Sequence, residues 1–267
     1  MRELKLEEQK KIMLDILLDF DKACRENDIG YSIVYGTLLG AVRHHGFIPW
    51  DDDIDVIVTR ENYNKIKKIM NGELKEKHRF ICVENEKRFS APLAKIIDEN
   101  TVLKQIGHNS DKMDLGVYVD IFVLDNIPQD IRKREKAFKK SIMLQNIWSF
   151  AGNNNHNNGK LIYILRSIAN RMPIARKIAL YANRWAESLE GNTGLMASIM
   201  FGELDRSKEI MESCDIEDLA EYEFEGHSFL GVRDYDKYLT QWYGDYMKLP
   251  PEDQRISNHD TAVFWKG

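Results

Sequence analysis

The amino-acid sequence predicts an α/β (α+β) protein, a mixed sheet flanked by helices with a helical portion towards the C-terminus. Two patterns carry that reading. Over the first 125 residues, short apolar runs with strand-like alternation trade places with runs of helical period. Beyond them, residues 131–150 and 160–190 read as helix. The composition agrees: 43% of the 267 residues are apolar and 30% charged, enough for a sizeable core under a solvated surface.

The elements follow in order. Residues 6–27 place Ile12, Leu14, Ile16, Leu17, Phe20 and Cys24 at helical spacing among Lys, Asp and Glu, an amphipathic helix ended by Gly30. YSIVY (31–35) is a short strand. Gly36-Thr37 turns it into LLGAVRHH, one or two helical turns stopped by Gly46 and Pro49. A strand at 53–58 and a helix at 61–70 come next. RFICVE (79–84), LAKIID (93–98), TVLKQ (101–105) and VYVDIFVLD (117–125) all read as strands. AGNNNHNNG (151–159) is a flexible loop between the two long helical stretches. The acidic stretch 209–225 reads as a solvated face, YEFEGHSFLGV (222–232) as a hairpin and DYDKYLTQWYG (234–244) as a last helix before a polar tail. The chain thus divides into a core of 1–125, a mainly helical 126–220, and a 221–267 portion that returns to the functional site of the core.

A formal net charge of -5 argues against a nucleic-acid binder by bulk electrostatics. Cys24, Cys82 and Cys214 match no zinc spacing and read as buried, reduced thiols of the cytosol. The charged start MRELKLEEQKK lacks the apolar core of a signal peptide, and no apolar stretch approaches the ~20 residues that cross a bilayer. The expectation is a cytoplasmic protein, touching the inner face of a membrane at most.

One stretch demands chemistry. FIPWDDDIDV (47–56) puts four carboxylates into five consecutive positions beside an apolar strand. Two carboxylates ~5 Å apart repel by roughly 3 kcal/mol at an effective dielectric of about 20, which a divalent cation would offset. Alternate side chains of a strand share a face, so Asp53 and Asp55 point one way and Ile54, Val56 and Val58 into the core. VYVDIFVLD repeats the pattern, with Asp120 opposite Val117, Val119, Ile121 and Val123. An Asp in so apolar a strand is costly unless paired or bound to metal. Pairing the two strands would gather Asp53, Asp55 and Asp120, an oxygen set suited to Mg²⁺ or Mn²⁺ with a phosphate completing the shell. Upstream, Gly36 and Thr37 open a helix where a phosphate could approach the backbone and meet a hydroxyl. A strand-Gly-Thr-helix element followed by a D-x-D strand and a third strand Asp is the order of the nucleotidyltransferase fold.

GTLLGAVRHHGFIPWDDDIDV (36–56) resembles the hallmark segment of the LicD family, the group of bacterial phosphocholine transferases and animal fukutin-related protein. VYVDIFVLD and DYDKYLTQWYGDYMKLPPEDQR (234–255) extend the resemblance along most of the chain, with residues 126–220 the vaguest part. It implies a nucleotidyltransferase-like fold that moves phosphocholine, or a related phospho-alcohol, from a CDP-linked donor such as CDP-choline. The acceptor it implies is a hydroxyl of a surface glycan such as teichoic acid, lipopolysaccharide or capsule precursor, carried on lipid. Asp53 and Asp55 match the family's D-x-D and Asp120 its third acidic residue. They are read as catalytic and as ligands of two metal ions. One ion would activate the acceptor hydroxyl and the other stabilise the diphosphate and leaving CMP.

Other residues are less specific. Arg43 contacts phosphate or pairs with the Asp cluster, and Lys95 and Arg255 are further candidates for phosphate contact. Asp51 and Asp52 cap the turn, bind metal through water, or bond Arg43. His44 and His45 position the loop. Trp50 packs it or stacks on a base or choline; Tyr243 and Trp242 belong to the core or to an aromatic box for a quaternary ammonium. Lys160, Arg166, Arg171, Arg176, Lys177 and Arg184 make 160–184 a basic amphipathic segment, suited to anionic lipid or to a solvated face. Two other functional classes compete: a D-x-D glycosyltransferase using nucleotide sugars, and a non-catalytic glycan-binding domain.

Overall fold

The computed structural model describes residues 1–74, 76–105, 115–152, 173–189, 191–199, 206–256 and 261–267. The chain runs β1 (Arg2–Glu3), α1 (Leu6–Glu26), β2 (Ser32–Ile33), α2 (Tyr35–His44), β3 (Asp55–Thr59), α3 (Arg60–Glu73), β4 (His78–Ile81), β5 (Ala94–Asp98), β6 (Thr101–Gln105) and β7 (Tyr118–Asn126). It continues through α4 (Ile131–Gly152), α5 (Ile174–Glu187), β8 (Leu195–Ala197), β9 (Met211–Glu212), α6 (Ser213–Glu217), β10 (Leu219–Phe224), β11 (His227–Val232), α7 (Tyr235–Tyr243) and β12 (Thr261–Trp265). The α+β class expected from the sequence is what is found.

The main sheet has the order β10-β11-β2-β3-β7-β5-β4, with β8 and β9 attached beyond the end of β7. It is mixed: β11–β2 and β3–β7 are parallel, the other neighbours antiparallel. A second sheet, β1-β12-β6, joins the two ends of the chain. The main sheet therefore draws strands from all three stretches into which the sequence divides.

α1 buries Met13, Ile16, Leu17, Phe20 and Cys24, one stripe at spacings of three and four, against β5 and β7. The central strands β3 and β7 are strongly apolar, and Val56, Val58, Val119 and Ile121 are fully buried. A smaller cluster of Leu144, Ala182, Ala186, Ala197 and Ile199 joins α4, α5 and β8. α5 packs Ala175, Ala179, Ala182 and Ala186 inward and leaves Lys177 and Arg184 exposed.

Several expectations need correcting. α2 starts at Tyr35, because the Val34 carbonyl already accepts Leu38 N–H (3.1 Å); Gly36 and Thr37 lie within its first turn, and the helix runs ten residues. β3 starts at Asp55, leaving Asp53 in the irregular approach to it. The polar tail ends in β12, where Thr261–Trp265 pairs with β6 and β1. Glu209, expected on a solvated face, is 3% exposed. Cys214 is exposed, although Cys24 and Cys82 are buried and all three are free. Most of the loop at 151–159 and the basic residues Lys160, Arg166 and Arg171 lie outside the described residues.

Candidate active site

The sheet register assembles the site. Asp55 is the direct neighbour of Asp120 across the parallel β3–β7 pair, and Asp120 is the direct neighbour of Lys95 across β7–β5. Direct partners share a face about 4.8 Å apart, so acid, acid and ammonium form a row across three strands. Lys95 Nζ is ion-paired to Asp120 Oδ1, with both side chains largely buried. The same ammonium sits 3.4 Å from the centroid of Tyr118. Lys95, read from sequence as a phosphate contact, is thus committed to Asp120 in this structure. Asp120 N–H also donates to the carbonyl of Ile54 (3.0 Å), tying its strand to the residue between Asp53 and Asp55.

Thr37 holds the row from the other side. Its hydroxyl oxygen accepts Asp55 N–H at 2.9 Å, and Thr37 is 2% exposed. It lies one layer behind the site, positioning Asp55, instead of presenting a hydroxyl to a ligand. Gly36 lies at the surface of the cleft, and the space a side chain would fill there is taken by the Asp51 carboxylate. A carboxylate therefore stands over Gly36, where sequence suggested a phosphate.

The acids open into a cleft of about 430 Å³. Tyr35, Gly36, Leu39 and Arg43 of α2 line one side, and Ile48, Trp50, Asp51, Asp52, Asp53 and Asp55 the floor. The opposite wall is Tyr243, Asp245, Tyr246, Lys248, Pro250, Gln254 and Ile256. Arg43 Nη1 donates to the Tyr246 carbonyl (2.6 Å), bridging the two walls. Arg255 Nε donates to the Pro250 carbonyl (2.9 Å), and its guanidinium lies 5.6 Å from the Trp50 centroid. The structure thus brings together Gly36, Arg43, Trp50, Asp53, Asp55 and Tyr243, with Arg255 stacked on the rim and Asp120 and Lys95 alongside Asp55. Trp242 packs edge-on against Tyr35 (4.6 Å) in the core, whereas Tyr243 is 42% exposed to the cleft.

Electrostatics at the floor are unfavourable without a counter-ion. Burial, and then the charges of Asp53, Asp120 and Asp51, push the Asp55 carboxyl well above the usual carboxylate range, against the pull of Lys95. Burial also raises Asp51, which shares a hydrogen bond with the Asp53 carboxyl. The cluster must therefore take up protons or a cation. Among the described residues no set of three or more His, Cys, Asp or Glu side chains forms a ready-made metal group. The donor chemistry still fits a hard divalent ion: closely spaced carboxylates, one of them (Asp55) buried, at an open cleft. Asp51, Asp53 and Asp55 are the acids of this cluster that line the cleft together with α2.

Sequence reasoning missed Tyr35, Asp245, Tyr246 and Lys248 as cleft residues. Tyr35 left no compositional trace, yet its backbone has φ +49°, an uncommon conformation for a bulky residue that tends to occur at functional sites. It is held there by packing on Phe122, Tyr238 and Trp242 and by donating its hydroxyl to Glu209 Oε2 (3.2 Å). Asp245, Tyr246 and Lys248 stood inside the quoted 234–255 motif and carried no pattern that separated them from their neighbours.

Comparison with known proteins agrees with this geometry. The family model of the LicD/FKTN/FKRP nucleotidyltransferase domain matches residues 28–140, the span from β2 to α4 that contains all three acids. The chain is 30% identical over 272 residues to the lipopolysaccharide cholinephosphotransferase LicD of Haemophilus influenzae, covering 99% of each chain. Shorter similarities reach an uncharacterized protein of Rickettsia typhi (39% over 67 residues, 25% of this chain and 22% of that one) and one of Rickettsia prowazekii (40% over 58 residues, 22% of each). Similarity along the whole length, together with the acids in strand register, establishes that the chain belongs to the LicD family and is a transferase of that family's type.

Proposed function

We propose that this enzyme transfers phosphocholine, or a related phospho-alcohol, from CDP-choline or another CDP-linked donor to a hydroxyl of a cell-surface glycan. The observation that carries the reading is the register that sets Asp55 beside Asp120 at the foot of a cleft walled by aromatic and cationic residues. The whole-length relative names a lipopolysaccharide as its acceptor and choline phosphate as the transferred group. Teichoic acid and capsule precursors are chemically equivalent acceptors. A lipid-linked acceptor would bring the protein to the cytoplasmic face of a membrane; no helix among the described residues is long and apolar enough to cross one.

Mg²⁺ or Mn²⁺, held by Asp53 and Asp55, would neutralise the diphosphate and the charge that develops on transfer. The residues do the rest. Arg43 and Lys248 face the cleft as cations for donor phosphates, and Trp50 and Tyr243 offer aromatic faces to the base or the quaternary ammonium. The acceptor oxygen attacks the phosphorus that bears choline, and a phosphodiester bond to the glycan forms. The P–O bond to CMP breaks, and CMP leaves with the electron pair. The hydroxyl proton goes to an oxygen of Asp120, which Lys95 holds in place.

CMP release from CDP-choline, followed with a lipid-linked glycan acceptor in Mg²⁺ and in EDTA, tests this. Metal-dependent release coupled to choline phosphate on the glycan supports it. Release of UDP from a nucleotide sugar, or no turnover across a panel of CDP-alcohols with binding intact, refutes it in favour of a glycosyltransferase or a binding domain.

A further inference from the structure

The acids are carried by a segment, residues 45–54, with no regular secondary structure of its own. Such a segment, loaded with like charge, would relax apart unless something held it, and the structure shows two holds from behind. Lys10 of α1 is 6% exposed, a rare place for an ammonium. Its Nζ donates to the carbonyls of Ile48 (3.2 Å) and Pro49 (3.1 Å) and lies 5.1 Å from the Phe47 centroid. The Ile48 carbonyl also accepts Asp51 N–H at 3.0 Å, so one oxygen links Lys10 to the first acid. The second hold is the tip of the β10–β11 hairpin. Glu225, at φ +53°, donates its N–H to the His45 carbonyl (3.0 Å) and accepts Phe47 N–H on Oε1 (3.0 Å).

We infer that Lys10 and Glu225 are positioning residues that clamp residues 45–49 and so fix the presentation of Asp51 and Asp53 to the cleft. The clamp is a statement about the loop; its catalytic consequence rests on the transfer proposed above. Neither residue lines the cleft, and both bond to the backbone of the loop that carries the acids. A buried lysine bonded to two carbonyls suits this purpose, since its ammonium ties two consecutive residues of the loop to α1.

The test uses the full chain with Lys10→Met, Glu225→Gly and, as a control in the same helix, Ile16→Val. Glu225 is exposed and glycine accepts its backbone conformation, so that variant folds even where Lys10→Met does not. Three readouts are taken: amide hydrogen exchange, the Mg²⁺ concentration at half-maximal thermal stabilisation, and kcat and KM for CMP release. The clamp predicts exchange at residues 46–53 roughly tenfold faster or more, in line with loss of backbone hydrogen bonds. It also predicts a Mg²⁺ midpoint raised by about tenfold and a fall in kcat with little change in KM for the acceptor. Ile16→Val should lower the melting temperature and move none of these. Exchange at 46–53 no faster than in the control overturns the clamp. Faster exchange with an unmoved Mg²⁺ midpoint and kcat overturns its catalytic role. A wild type with neither Mg²⁺ response nor CMP release overturns the transfer reading, while localised loss of protection in the variants still supports the clamp.

Discussion

Replacing Asp55 with Asn should stabilise the protein when divalent cations are removed. Asp55 and Asp120 are direct strand neighbours, about 4.8 Å apart. Two unit charges at that spacing repel by about 3.5 kcal/mol at an effective dielectric of 20. Lys95 offsets part of this through Asp120, whereas Asp53 and Asp51 add to it. A net gain on the order of 2 kcal/mol follows, which in a chain of this size raises the melting temperature by roughly 5 °C. The pH dependence has a definite sign. The folded-state pKa of Asp55 is raised, so its favourable contribution is complete below the ordinary carboxylate pKa and lost as pH rises through the raised value. In EDTA the wild type should therefore gain stability on mild acidification from neutral pH, and the advantage of Asp55→Asn should shrink. Added Mg²⁺ should reverse the ranking at neutral pH, because only the intact site gains binding energy in the native state. Thermal melts in EDTA at two pH values and in Mg²⁺ check all of this. An Asn variant that melts below wild type in EDTA at neutral pH, or equal stabilisation of both by Mg²⁺, would refute the reasoning.

Asp120→Asn should bind a CDP-linked donor in Mg²⁺ within roughly tenfold of wild type, yet lose on the order of 10³-fold in transfer; calorimetry and CMP release on one preparation decide, and near-normal turnover makes Asp120 structural. Lys95→Met leaves Asp120 buried without its partner and should cost about 3–5 kcal/mol in denaturant unfolding; an unchanged midpoint would show the pair to be dispensable. Thr37→Val strands the Asp55 N–H and should destabilise by about 1–3 kcal/mol, with thermal melts as the measure and Thr37→Ser as the rescue. Sedimentation with phosphatidylglycerol vesicles should be salt-sensitive and weakened by Lys177→Glu with Arg184→Glu, the exposed cations of α5; binding that ignores both changes rules out contact through this segment.

The acidic centre was readable because a strand has period two. Asp120 in VYVDIFVLD and Asp55 in DDDIDV each had to emerge on a single strand face, and one pairing of the two strands brings them together, whereas Asp53 precedes the strand and lies outside that rule. What the period does not specify is the third strand of the row, so Lys95 gave no sign that its partner was Asp120. Lys10 did leave a signal. It lies three residues before Met13 and seven before Leu17, on the apolar stripe of α1, where a lysine is out of place. Glu209 was misread for the opposite reason: acidic neighbours in sequence said nothing about the Tyr35 hydroxyl that reaches it across the fold. The far wall of the cleft, from Tyr243 to Ile256, depends on irregular backbone for which hydrophobic patterning has no rule.

The bridge between Arg43 and the Tyr246 carbonyl joins positions 203 apart in the chain. Between them, β11 must find β2 before the main sheet is continuous on that side of the acids. During synthesis the acids and α2 emerge early, but the cleft lacks a wall until residues 243–256 have left the ribosome. Contacts of such long sequence separation form late and slowly, since loop closure precedes their reward. The crowded carboxylates therefore spend the nascent period without Lys248 of the far wall, and the cleft is complete only once residues 243–256 dock.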